Sequence, residues 1–240
     1  MSVLAATSGP SAYWYLTRST GAVAMVLLTV TVAAGVLDVR RYATERWPRF
    51  VIDRLHRNVA LLTMVFLALH IVTSVLDSFA PIALLDAVIP FVGSYRPFWL
   101  GLGAVSFDLV LAVTITSLAR RRVGHRTWRA VHWASYASWP VALLHGFGTG
   151  SDVKDAWLMG LSLICLVVVA IAVIVRAGAG WHDGLPVRRA AVAATAAFAL
   201  FLALWLPSGP LGSEWARRSG TPTTLLHASK GAKAPSKATR

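Results

Sequence analysis

The sequence predicts an all-α membrane protein, a polytopic bundle of about six transmembrane helices. Three observations predict it. Of the 240 residues, 56% are hydrophobic and 14% charged, whereas soluble domains carry roughly 25% charged residues. The apolar residues form several runs near the length of about 20 that crosses a hydrocarbon core of roughly 30 Å. The arginines collect in short stretches between those runs, as loop residues of membrane proteins do. The net charge of +13 therefore reflects topology. No basic face with interleaved aromatics points to nucleic acid.

The first segment covers residues 14–37 and opens on Tyr13, Trp14 and Tyr15, an aromatic belt suited to a membrane interface. A basic linker, 38–54, precedes the second segment, 55–76. Residues 77–97 are apolar but broken by Pro81, Pro90, Gly93 and Pro97, which predicts an interfacial or re-entrant loop. The third segment is 98–119, and a basic turn, 120–129, follows. The fourth is 130–147 with Pro140 inside it. The fifth is 156–175 and the sixth 190–206. From Pro207 the chain is rich in Ser, Gly, Pro, Lys and Ala, a composition that predicts a basic, disordered tail over 207–240. Residues 1–206 form the membrane domain.

The first, third and fifth loops hold five, five and three Lys or Arg, and the second and fourth hold one each. The positive-inside rule places the odd loops in the cytoplasm and the N-terminus outside a plasma membrane. The six basic residues of the tail pull against that orientation. The N-terminus lacks a basic n-region with a short apolar h-region, so no secretory signal is expected. Cys165 is the single cysteine. It can build neither an internal disulfide nor an iron–sulfur cluster and reads as a small buried side chain.

Four of the seven histidines carry the functional argument. His56 and His70 are 14 residues apart on the second segment; His132 and His145 are 13 apart on the fourth. At 1.5 Å per residue the separations are about 21 and 19.5 Å. Both segments leave a cytoplasmic basic loop, so His56 and His132 share an inner depth, and His70 and His145 an outer one. Fourteen residues bring His70 within about 40° of His56, whereas thirteen leave His145 about 140° from His132. Pro140 lies between the latter two, and a kink there is expected to re-aim His145. A lone membrane histidine reads as a packing residue hydrogen-bonded to its neighbours. Two pairs at matched depth read as axial ligands, because an electron-transfer haem takes one imidazole on each face. No CxxCH occurs, so the haems are expected to be non-covalent, b-type, and two in number.

The stretches HRNVALLTMVFLALH and WRAVHWASYASWPVALLHG resemble the ferric reductase-like transmembrane domain family. It includes the membrane cores of NADPH oxidases and ferric reductases and the haem subunit of the periplasmic methionine sulfoxide reductase system. The resemblance covers residues 14–176. It implies that His56 and His132 ligate an inner haem and His70 and His145 an outer one. Oxidases of the family continue into a flavin and nicotinamide domain. About 65 residues follow the fifth segment here, with no Gly-rich phosphate loop after a strand, so no flavin or NAD(P)H site is expected in this chain. The resemblance implies a haem-bearing oxidoreductase subunit, embedded in membrane lipid, that conducts electrons across the bilayer through its haems. Its donor would be a separate flavoprotein or a quinol. Its extracytoplasmic acceptor would be a flavin-binding protein or ferric iron. Competing readings are a quinol-oxidising subunit serving one periplasmic reductase and a haem-free transporter or proton pathway.

Other residues have paired readings. Arg18 can hold a propionate of the outer haem or snorkel to the interface. Arg57, Arg129 and Arg54 flank the inner level and can hold its propionates, or serve topology alone. Asp108 lies mid-way along the third segment and is expected to face the bundle, as a proton relay, a partner of a ligand histidine or a structural hydrogen-bonder. Trp139 and Phe66 lie between the levels as electron path or as packing. Ala60 and Thr63 leave room on the His56–His70 face. Gly146, Gly148 and Gly150 cap the outer haem or form a turn.

Overall fold

Apolar runs flanked by polar turns become long helices because a backbone in hydrocarbon must satisfy its own hydrogen bonds. The computed structural model describes residues 11–39, 48–150, 152–178 and 184–226. Most of the first basic linker, His182, His227 and the tail beyond Leu226 lie outside the described residues. The elements are α1 Ala12–Val39, α2 Arg49–Leu76, α3 Leu84–Val88, α4 Pro97–Leu118, α5 Arg120–Val123, α6 His125–His132, α7 Ser135–Thr149, α8 Ala156–Gly178, α9 Gly184–Ser208 and α10 Trp215–Arg218.

Among the described residues, five helices are long and apolar enough to cross a membrane: α1, α2, α4, α8 and α9. The expected fourth crossing differs. It is divided into α6 and the 15-residue α7. Trp133 and Ala134 between them keep right-handed dihedrals, but the hydrogen bonds tighten. The N–H groups of Ala134, Tyr136 and Ala137 donate three residues back, to Val131, Trp133 and Ala134. The break is a 3₁₀ turn upstream of Pro140, not a kink at the proline itself.

Contacts between named residues fix the helix directions. Residue 21 of α1 meets residue 70 of α2, and residue 35 meets 56, so α1 and α2 are antiparallel. Trp139 Nε1 donates to Thr29 Oγ1 at 2.8 Å, and Arg18 lies near Gly150, so α7 is antiparallel to α1 and therefore parallel to α2. Ser106 Oγ donates to the Ser138 carbonyl at 2.9 Å, while Gly103 touches His145, so α4 runs against α7. Trp139, Leu143, Leu28, Val110 and Cys165 form the buried centre of this arrangement, as expected for Cys165.

The loop between α2 and α4 carries only the short α3. It ends at Arg96, which is 4% exposed and holds a left-handed φ of 44° at the N-cap of α4. That conformation costs a non-glycine residue about 1 kcal/mol. Three side-chain bonds offset it: Arg96 donates to the carbonyls of Gly148 (3.0 Å) and Thr149 (3.1 Å) and to Thr221 Oγ1 (2.9 Å). Its backbone N–H donates to the Gly220 carbonyl.

Those partners correct a second expectation. The chain past Pro207 is folded as far as Leu226. Gly209 and Pro210 are buried, α10 follows, and Trp215 Nε1 donates to the Gly148 carbonyl at 3.2 Å. Trp99 stacks on Trp205 with centroids 5.0 Å apart and meets Trp215 at 5.3 Å. Composition alone missed this because the ordering contacts come from α4 and α7.

Candidate functional site

Each histidine of α2 is seated against α1 in the same way. The His70 ring packs over Gly21, where an added Cβ would stand 3.0 Å from Cε1 and Nδ1. Its Nδ1 donates to the Thr17 carbonyl at 2.8 Å. The His56 ring packs over Gly35, with Cε1 3.1 Å from such a Cβ, and Nδ1 donates to the Thr31 carbonyl at 3.0 Å. In both cases a glycine lies four residues after the accepting carbonyl, so the missing side chain opens the backbone to the ring. The Gly21–Gly35 spacing repeats the His56–His70 spacing across antiparallel helices.

α4 provides the third seat. His145 packs over Gly103, where a Cβ would come within 2.5 Å of Cε1 and Nδ1, and Nδ1 donates to the Trp99 carbonyl at 2.9 Å. His132 breaks the pattern: its Nδ1 is buried without a hydrogen-bond partner among the described residues. Its ring lies 4.9 Å from that of Trp128, and the Arg120 guanidinium lies over Trp128 at 4.2 Å.

A carbonyl oxygen can only accept, so Nδ1 of His56, His70 and His145 carries the proton in the neutral rings. Nε2 then keeps a lone pair. This is the tautomer a metal-ligating histidine adopts when its second nitrogen donates to a backbone oxygen.

The structure brings all four histidines together as two pairs. The centroids of His56 and His132 are 6.3 Å apart, and those of His70 and His145 are also 6.3 Å apart. Part of the rotation that separates the two faces is removed by the turn between α6 and α7. A 3₁₀ residue advances about 120° against about 100° for an α residue, so roughly four such residues remove about 80° of the misalignment.

A cavity of about 280 Å³ opens beside the upper pair, with His70, His145, Gly21, Gly103 and Arg18 on its wall. Arg18 donates to Asp152 at 2.7 Å and lies over Trp14 at 4.8 Å. Its charge thus has a carboxylate partner, which was not foreseen. Arg57 and Arg129 are exposed, as is Arg54; they lie near the lower pair in sequence, and no bond from them to His56 or His132 is seen among the described residues. Asp108 is half-buried and makes no hydrogen bond or ion pair among the described residues, contrary to the expectation of a bundle-facing partner. Trp139, 2% exposed, and Thr63, 1% exposed, are packed core. Gly148 makes room for the Trp99 ring and Gly150 caps α7.

The three seating glycines and the Thr17, Thr31 and Trp99 carbonyls were not read from the sequence. The 14-residue glycine spacing, mirrored against the histidine spacing, was the available signal.

The model of the ferric reductase-like transmembrane component matches residues 20–143. The chain belongs to that family. The match takes in His56, His70 and His132 and stops two residues short of His145. The chain is also similar to the heme-binding subunit of a protein-methionine-sulfoxide reductase from Ralstonia nicotianae, 30% identical over 148 residues, covering 60% of this chain and 63% of that protein. It thus spans less than two thirds of the relative's length. No solved structure matches. Family membership and the long apolar helices make the chain a multi-pass membrane protein of a redox family.

Proposed function

We propose that the chain is a membrane oxidoreductase subunit that holds two b-type haems, one between His56 and His132 and one between His70 and His145, and conducts electrons across the bilayer. The observation that carries this reading is the equal separation of the two pairs. With metal–imidazole bonds of roughly 2.0 Å and a ring centre roughly 1.1 Å behind each nitrogen, opposed imidazoles on one metal have centroids about 6.2 Å apart. Both pairs stand at 6.3 Å.

The donor chemistry supports the same reading. The glycine notches let imidazoles lie closer to a backbone than any other residue would allow, and three Nδ1–H bonds hold the rings in one tautomer. Bound haem would supply a one-electron iron couple, and His56 with His132 and His70 with His145 would hold it. The chain's own residues orient the rings, and the core around Trp139 and Leu143 keeps water out between the levels. The heme-binding relative supports a subunit that works with a separate reductase. The basic loops favour a plasma-membrane orientation with the His56 level towards the cytoplasm. A separate flavoprotein or quinol would be the donor, and an extracytoplasmic flavin-binding protein or ferric iron the acceptor.

The test is the absorption spectrum of the purified protein, expressed with ample iron and porphyrin precursor. Low-spin b-type bands with two haems per chain support the proposal, and His70→Ala should retain one. A colourless preparation overturns it, as does a His70→Ala variant that still binds two.

A further inference from the structure

We infer that the two histidine levels are unequal electron-holding sites, the His56–His132 level having the higher reduction potential, because among the described residues His132, alone of the four, lacks an acceptor for its Nδ1 proton. The inference rests on the two-haem reading. A ring whose Nδ1–H donates to an oxygen becomes a more basic ligand, and a more basic ligand favours the oxidised iron. At the upper level both rings are so bonded, His70 to Thr17 and His145 to Trp99. At the lower level only His56 is.

The asymmetry has a structural cause. α4 has no glycine after Gly103, so its lower half offers no notch through which a ring can reach a carbonyl. Thr114 and Thr116 there bond back to Val110 and Ala112 of their own helix. His132 instead lies beside Trp128, over which the exposed Arg120 guanidinium sits. A nearby cation favours the reduced, less positive iron. The upper level's cation, Arg18, is paired with Asp152 at 2.7 Å. Hydrogen bonding and charge therefore act with the same sign.

Spectroelectrochemistry of the haem-loaded protein tests this, since each haem takes one electron from the electrode through a mediator. The wild type should show two resolved waves. Gly21→Ala presses on His70 and weakens its bond to Thr17, so it should raise the lower-potential wave alone. Gly35→Ala does the same to His56 and should raise the higher-potential wave alone. If either variant drops a haem, the wave that vanishes must follow the same assignment. Two haems with one unresolved wave, or the reverse assignment, overturns the inference. Fewer than two haems in the wild type overturns the functional reading beneath it, and is recognised by haem content before any potential is measured.

Discussion

Gly103 and His145 approach so closely that a single added methyl group would stand 2.5 Å from two ring atoms. The histidine cannot back away without giving up the Trp99 carbonyl. Gly103→Ala should therefore lower the haem content from two towards one per chain. Gly160 is the control. It lies on α8, off the cavity wall, and a Cβ there meets nothing within 4 Å. Gly160→Ala should keep both haems and stabilise the helix by about 0.5–1 kcal/mol. Haem quantitation and thermal loss of the haem band distinguish the two; equal haem contents would show that the notch is not needed.

His56 and His70 were legible because their period is local: one helix, 14 residues, one face. The pairing was legible because α2 and α7 both run away from a basic loop. The place of the break was not. Pro140 is visible in the sequence, but nothing in the residue pattern puts the 3₁₀ turn at Trp133 and Ala134 rather than at the proline itself. The order of 207–226 was equally hidden, because a Gly- and Ser-rich composition says nothing about an arginine 125 residues upstream that bonds Thr221. The seating glycines lay between these cases, readable only once α1 and α2 are known to be antiparallel.

The Arg18–Asp152 pair joins α1 to the turn before α8, with side chains 22% and 13% exposed. Removing one member takes the ion-pair partner from the other in a largely desolvated setting, which costs about 3 kcal/mol, the low end for a buried pair because both side chains keep some exposure. Arg18→Ala and Asp152→Ala should each lower the thermal midpoint. The double variant should be less destabilised than the sum of the two, as a coupled pair requires. Additive losses would mean that the ion pair contributes nothing of its own.

Arg96 bonds two carbonyls at the end of α7 and one hydroxyl of the following strap through three separate N–H vectors. A lysine ammonium cannot reproduce that fork, and hydrogen bonds from a charged donor contribute about 1.5–3 kcal/mol each. Arg96→Lys should free residues 209–226 from the bundle end. Arg217 and Arg218 are exposed there, so tryptic cleavage after them should quicken by at least about tenfold, the factor that corresponds to roughly 1.4 kcal/mol. An unchanged cleavage rate would show that the Trp99–Trp205–Trp215 packing holds the strap by itself.

Pro140 and the 3₁₀ turn both act on the line joining His132 to His145, and one substitution separates them. Pro140 has no N–H to donate to the Tyr136 carbonyl, and its ring crowds that carbonyl. The tightened bonds at Ala134, Tyr136 and Ala137 lie immediately upstream, where such crowding is relieved. Pro140→Ala restores the missing donor and removes the reason for the turn. If the proline drives the break, α6 and α7 merge into one α-helix, and His132 rotates back by about 80°, the four residues at about 20° each that the turn had added. The protein should then lose the haem of the His56–His132 level and keep the other, with no loss of helical circular dichroism. If both haems remain, packing of α6 against α4 holds the turn and the proline is incidental to it.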